Sequence, residues 1–244
     1  MNPNQQIEHW LVASKKTFHL HDRPFVTLCY AQSLDGSIAI RSGEPLALSG
    51  PESLQLTHQL RSIHDGILVG IGTVLSDDPQ LNVRHWVGLN PQPIVLDSKL
   101  RMPASARLRQ LPDKRCWVLT THDGETLANE GDGVLIDGLE ITALQCNAEG
   151  RVCLEGALRL LRSKGITSLM VEGGASIITA FLKAQLADAV VVTLVPRLVG
   201  GYKAVSDLGV REKPNLPEIS PLHSAQLGKD VILWGNLQYG EAVA

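Results

Sequence analysis

Glu172 stands directly before Gly173 and Gly174, between the apolar run "LMV" and the helix-like stretch "ASIITAFL". In an open α/β sheet, ligands bind beyond the carboxyl ends of strands, and a glycine-rich turn into a helix aims free N–H groups at an anion. Gly173 and Gly174 would let the backbone come close to a phosphate, and Ala175 with Ser176 would open the helix without crowding it. Glu172 must then face away from that anion, most economically toward the N–H groups of a substrate. The plain alternative is a tight turn beside a solvated acid. A second corner, "VGIGTVLSDDPQLNVR", holds Gly70 and Gly72, but Leu75 stands where a dinucleotide fingerprint needs its third glycine, so the Rossmann motif fails. Asp77 and Asp78 have no histidine or further acid at ligand spacing, and Asp-Asp-Pro is ordinary turn chemistry; no metal is expected. Arg61 and Arg84 are two guanidiniums that, converging on one mouth, would clamp a phosphate; solvated surface arginines are the bland counterpart.

Elements that position these groups follow from periodicity. "RPFVTLCYA" reads as a strand after the Pro24 break. "SGPESLQLTHQLRSIHD" reads as a helix with Ser49 as N-cap and Leu54, Leu60 and Ile63 near helical spacing. "GILVGIGTVL", "PIVLDS" and "RCWVLTT" read as buried strands, the first ending in a glycine-rich corner. "CLEGALRLLRSKG" gives a helix with a stripe of Leu154, Leu158 and Leu161, stopped by Gly165. A strand "SLMVE", a helix "ASIITAFLKAQL" and the strands "AVVVTLV" and "DVILWGNLQ" complete the series. The alternation predicts an α/β fold with a largely parallel central sheet flanked by helices. Residues 1–22 are mixed and polar and read as a leader that packs or frays, ahead of one domain over 23–244.

At 244 residues, 44% hydrophobic and 19% charged, the chain has enough apolar content for a sizeable core. A net charge of −3 carries no global basic surface, so no nucleic-acid partner is expected. Its longest apolar runs are too short to cross a bilayer, and the start "MNPNQQIEHW" lacks the layout of a secretion signal, so the expectation is a cytoplasmic protein without a membrane partner. Four cysteines without a C-x-x-C pair fit a reducing compartment.

"RPFVTLCYAQSLDGSIA", "LRSIHDGILVGIGTVLSDDPQLNVR", "PIVLDSKLRMP", "LMVEGGASIITAFLKAQLAD" and "VPRLVGG" together resemble the reductase domain of riboflavin biosynthesis. That family comprises the C-terminal domain of the bacterial deaminase-reductase and its stand-alone relatives. The likeness covers residues 23 to 240 in one motif order. It implies a dihydrofolate-reductase-like fold, NADPH as cofactor, a homodimer, and reduction of the ribosylamino group of a pyrimidine 5′-phosphate to ribitylamino. The zinc signature of the deaminase is found nowhere in this chain, so a reductase alone is implied. Position by position, the resemblance assigns Ala31, Thr73, Asp77 and Ser98 to the NADPH site, with Gly174, Ala175, Ser176, Ile177, Ile178, Thr179 and Ala180 as its phosphate-binding turn and helix. It assigns Arg61, Leu81, Arg84 and Glu172 to the phosphorylated pyrimidine.

Three positions depart from the family pattern. Cys29 replaces a lysine or asparagine of the first strand, and Pro45 and Ala47 stand where the bacterial enzymes carry "S-x-W", removing a hydroxyl and an aromatic wall. Two other classes therefore stay open: an NADPH-dependent reductase of another carbonyl, imine or pterin-like substrate, and a non-catalytic nucleotide-binding relative. No dedicated general acid is evident.

Overall fold

The computed structural model describes residues 1–18, 21–121 and 133–240. In chain order its elements are α1 (Pro3–Lys16), β1 (Phe25–Ser33), β2 (Ser37–Ala39), α2 (Pro51–Ser62), β3 (Gly66–Gly70), α3 (Ile71–Asp77), β4 (Gln92–Leu96), β5 (Cys116–Thr121), β6 (Val134–Ile136), β7 (Leu139–Leu144), α4 (Leu154–Ser163), β8 (Ser168–Gly173), α5 (Ala175–Lys183), β9 (Ala189–Val195), β10 (Tyr202–Lys203), β11 (Glu218–Ile219), β12 (His223–Leu227) and β13 (Asp230–Gln238). The main sheet runs β11-β13-β9-β1-β8-β3-β4-β5-β7-β6, with β12 on β13. Its centre, from β9 through β7, is parallel, while β13 and β6 pair antiparallel at the flanks. This is the expected fold class. Parallel strands need both faces covered, which is why they are continuously apolar.

Alternation along β1 sorts the two layers. Val26 and Leu28 pack with Leu158 and Leu161 of α4 and with Ile178 and Phe181 of α5. Phe25 and Cys29 face the other way, against Ile7 and Leu11 of α1 and Leu56 and Leu60 of α2. The segment read as a leader is thus a helix that packs. Ile7 and Leu11 are 0% exposed, and burial of each contributes about 1.5 to 3 kcal/mol. Asn2 caps α1 reciprocally with Gln5.

Several local expectations are corrected. Ser49 is not the N-cap of α2; that position is Gly50, because Pro51 opens the helix and holds the preceding residue extended. The capping acceptor comes from afar: Asp230 Oδ2 accepts from the Gly50 N–H and the Ser53 hydroxyl, at 2.8 and 2.7 Å. Leu54 is 39% exposed, and the core positions of α2 are Leu56 and Leu60. The glycine-rich corner after β3 opens α3 directly, with Gly70 as its N-cap. The β6–β7 hairpin is absent from the expected elements although Leu139, Ile141 and Ala143 alternate with Glu140 and Thr142; β7 pairs on the edge that β5 offers and β6 folds back onto it.

The far end of α2 is fixed just as firmly. Lys15 Nζ donates to the carbonyl of Ile63 at 2.6 Å, meeting the negative end of the helix. His64 Nδ1 donates to the Leu60 carbonyl at 2.7 Å, so its Nε2 accepts from the Thr27 hydroxyl at 3.0 Å. Burial and the Lys15 cation push His64 down to about 3. It is held neutral.

Candidate active site

The carboxyl ends of β1, β8, β3 and β4 converge on one rim, and two helices begin there. Gly70 caps α3 and Gly174 caps α5, both without a side-chain acceptor on the leading N–H groups. The two starts are joined by one contact, the Gly174 N–H donating to Thr73 Oγ1 at 2.9 Å. Gly173 adopts φ +109°, a conformation that glycine alone takes without strain, and the Gly173–Gly174 peptide is cis. At Gly70 a Cβ would sit 2.6 Å from Ile177 Cγ1, so only glycine lets α5 approach β3 this closely. The result is a concave corner of main-chain donors suited to an anion.

Not every residue that the resemblance places in this cradle faces it. Ile178 is 1% exposed and belongs to the core, and Thr179 Oγ1 accepts from the Ser206 N–H at 3.0 Å. Ile177 packs under Gly70, and Ala180 lies a full turn into the helix. The free N–H groups are those of the first turn, at Ala175 and Ser176. Ala31 lies on β1 opposite Thr193 of β9. Asp77 is exposed at the end of α3. Ser98 follows β4, its hydroxyl accepting from the Val152 N–H at 3.1 Å, which leaves its proton free to donate outward. Lys99 and Arg101 beside it are exposed cations.

The residues that the resemblance assigns to a substrate form a different kind of structure. Arg61, on the buried face of α2, meets Glu172 at the end of β8 in a two-point pair: Nε donates to Oε1 at 2.6 Å and Nη2 to Oε2 at 2.7 Å. The side chains are only 10% and 15% exposed. Burial opposes the charge on Arg61, but the facing carboxylate outweighs it and holds the guanidinium charged. Glu172 is therefore not a free acceptor, and Arg61 is not a free clamp, as the residue types alone suggested. Each keeps spare capacity: the pair occupies two of about four acceptor sites on the carboxylate.

Arg61 Nη1 also donates to the Asn82 carbonyl at 2.9 Å, tying α2 to the segment after α3. Leu81 begins that segment with φ +51° and is 2% exposed, its side chain packed with Val69, Ile71 and Val74. Only its backbone is left to face a ligand. Arg84 is exposed, its Nη1 donating to Gln80 Oε1 at 3.3 Å and to Asn82 Oδ1. Both acceptors are neutral, and Arg84 has no carboxylate partner among the described residues, so its charge is available.

One residue of this site was missed in the sequence. His58, three positions before Arg61 on α2, is 0% exposed, and its Nδ1 accepts from the Arg84 N–H at 3.0 Å. Burial, then Arg61, Arg84 and His85, push it down to about 4. Its signal was a polar residue on the core side of a helix, one turn from a candidate arginine. Cys29 lies beside the ion pair, 7% exposed, and burial holds its thiol far above the usual range. It forms an apolar wall. Among the described residues, no three His, Cys, Asp or Glu side chains come together as a metal cluster. None of the helices described there is long and apolar enough to cross a membrane.

Known proteins resemble this chain in sequence and in fold. The model of the RibD C-terminal domain matches residues 24–233. A 2,5-diamino-6-ribosylamino-4(3H)-pyrimidinone 5′-phosphate reductase of Methanothermobacter thermautotrophicus is 36% identical over 218 residues, 86% of this chain and 97% of the relative. The riboflavin biosynthesis protein RibD of Aquifex aeolicus is 31% identical over 220 residues; the match takes in 89% of this chain and only 59% of that longer protein. Among solved structures, the riboflavin biosynthesis reductase Rib7 of yeast superposes with a TM-score of 0.70 at 29% identity, over 89% of this chain and 91% of Rib7. Matched along nearly its whole folded length in sequence and in fold, the chain belongs to the RibD C-terminal domain family.

Proposed function

We propose that the protein is an NADPH-dependent reductase that converts the ribosylamino group of a pyrimidine 5′-phosphate to ribitylamino. The observation that carries this reading is one rim holding two complementary halves: a glycine-built corner of main-chain donors and, beside it, the buried Arg61–Glu172 pair with the unneutralised Arg84. The relative matched over 97% of its length and 86% of this chain bears the name of such a reductase.

The corner fits a dinucleotide. The first turn of α5 and the start of α3 would hold the pyrophosphate, and Ser98, Lys99 and Arg101 would take the 2′-phosphate that distinguishes NADPH from NADH. When bound, the cofactor supplies the hydride. The chain's own residues orient and exclude water. Glu172, fixed by Arg61, offers its remaining lone pairs to pyrimidine N–H groups, Cys29 closes the wall behind them, and Arg84 meets the 5′-phosphate.

The test is NADPH oxidation by the purified protein with the 2-amino-4-oxo and the 2,4-dioxo pyrimidine substrates, each with and without its 5′-phosphate. Turnover of a phosphorylated form, with the dephosphorylated form at least about tenfold poorer, is the expected result. NADPH binding without turnover of any of the four would favour a non-catalytic relative. Turnover only of an unrelated imine or pterin would favour a changed pocket around Cys29, Pro45 and Ala47. Sedimentation of the same preparation tests the homodimer.

A further inference from the structure

We infer that His58 is a positioning residue for substrate, acting through the backbone of Arg84. The inference rests on the reading of Arg84 as the 5′-phosphate ligand. Two side chains on one turn of α2 hold alternate residues of the same segment: Arg61 grips the Asn82 carbonyl at 2.9 Å, and His58 receives the Arg84 N–H at 3.0 Å. Residues 82 to 84 connect the buried Leu81 to the exposed arginine, and both grips are made by groups inside the protein. They set where the Arg84 side chain starts, while its guanidinium is held only by Gln80 and Asn82, both neutral and local.

The chemistry at His58 demands the neutral ring. A main-chain N–H can only donate, so Nδ1 must keep its lone pair, and the proton of the neutral imidazole sits on Nε2. That Nε2 is buried and makes no hydrogen bond of full geometry among the described residues, with only a weak contribution from the Asn82 backbone; the ring packs edge-to-face against His85 at 4.8 Å. A buried unpaired donor among cations lowers stability. An apolar side chain here would relieve that donor but leave the Arg84 N–H without its acceptor, so the imidazole is accounted for by what its Nδ1 does.

The experiment separates the two nitrogens. Asparagine places its carbonyl oxygen where Nδ1 lies, two bonds from Cβ, whereas glutamine reaches toward the Nε2 position and leaves the Arg84 N–H unpaired. KM, kcat and NADPH affinity would be measured for His58→Asn, His58→Gln and Arg84→Ala with phosphorylated and dephosphorylated substrate. Expected for the phosphorylated substrate is a KM within about threefold of wild type for His58→Asn and at least about tenfold higher for His58→Gln, with NADPH affinity within about twofold for both. The dephosphorylated substrate should not distinguish the two variants. Equal KM values for both, while Arg84→Ala raises KM for the phosphorylated form alone, would overturn the role of His58 and leave the phosphate reading standing. If Arg84→Ala makes no distinction between the two substrates, the phosphate reading falls and this proposal with it.

Discussion

At the α3–α5 corner the groups left open are main-chain N–H donors, spaced by Gly70, Gly173 and Gly174, and the two helix starts are joined by the hydrogen bond from the Gly174 N–H to Thr73 Oγ1. On the α2 side of the same rim, side chains of α2 and β8 hold one another and the backbone of a third segment, residues 82–84: Arg61 donates to Glu172 and to the Asn82 carbonyl, and His58 accepts from the Arg84 N–H. A backbone cradle owes its shape to what is absent, a Cβ at a few positions. A side-chain network owes its shape to pairings across the fold, and it fails when one member is removed. The first should therefore respond to mutation locally and mildly, the second cooperatively and severely.

The severest test is to break the ion pair from one side. Arg61→Ala or Glu172→Ala leaves a charge in a site where both side chains are largely buried, and each should lose about 3 to 5 kcal/mol in denaturant unfolding. The double variant Arg61→Met/Glu172→Met should recover most of that stability while remaining unable to bind substrate. If the single variants lose under about 1 kcal/mol, the network is not cooperative and the contrast collapses.

Acid should attack the same side. His58 and His64 are held neutral, at about 4 and about 3, while an unfolded imidazole takes its proton near 6.5. Below that value the unfolded chain binds more protons than the folded one, so stability falls as pH drops from about 6.5 toward 3 and is fully present above about 7. A loss of at least about 2 kcal/mol between pH 7 and 4.5 is expected, smaller in His58→Asn. Unfolding free energies flat across that window would contradict both assignments.

A milder effect is expected at the corner. A methyl at Gly174 meets only Thr73 Oγ1, at an ordinary 3.5 Å, so Gly174→Ala should fold normally. Because the methyl enters the anion's space, NADPH affinity by fluorescence titration should fall about tenfold, roughly 1.4 kcal/mol, with substrate KM unchanged. A large loss of stability instead would show that the corner depends on packing as much as the α2 side does.

The smallest change should come from Arg101→Ala, where an exposed cation is screened by salt. NADPH should weaken by about threefold to fivefold at moderate salt, about 0.6 to 1 kcal/mol, and NADH not at all. Equal weakening of both cofactors would remove the 2′-phosphate from this end of the site.

The α/β alternation from β1 onward, the two glycine-rich corners and the choice of Glu172, Arg61 and Arg84 as candidates were legible in the amino-acid order, whereas α1, α3 and the β6–β7 hairpin were not. The legible features depend on short-range causes: alternation and helical period, the freedom of glycine, and motifs whose members are close in sequence. What the chain order did not disclose is who pairs with whom. Glu172 and Arg61 looked like separate ligands, one for the pyrimidine and one for a phosphate, because 111 positions separate them and only the fold makes them a single ion pair. Leu81 and Ile178, assigned to ligands by resemblance, spend their side chains in the core, because a helix or turn that borders a site still has an inner face. Ser49 looked like the cap of α2 because the true acceptor, Asp230, is 180 positions from Gly50. Residues 3–16 looked like a polar leader because two buried side chains in fourteen make a weak stripe until a matching groove exists. His58 escaped notice for the same reason: a histidine on a helix has two nitrogens, and which one accepts, and from what, is decided only when the Arg84 backbone arrives.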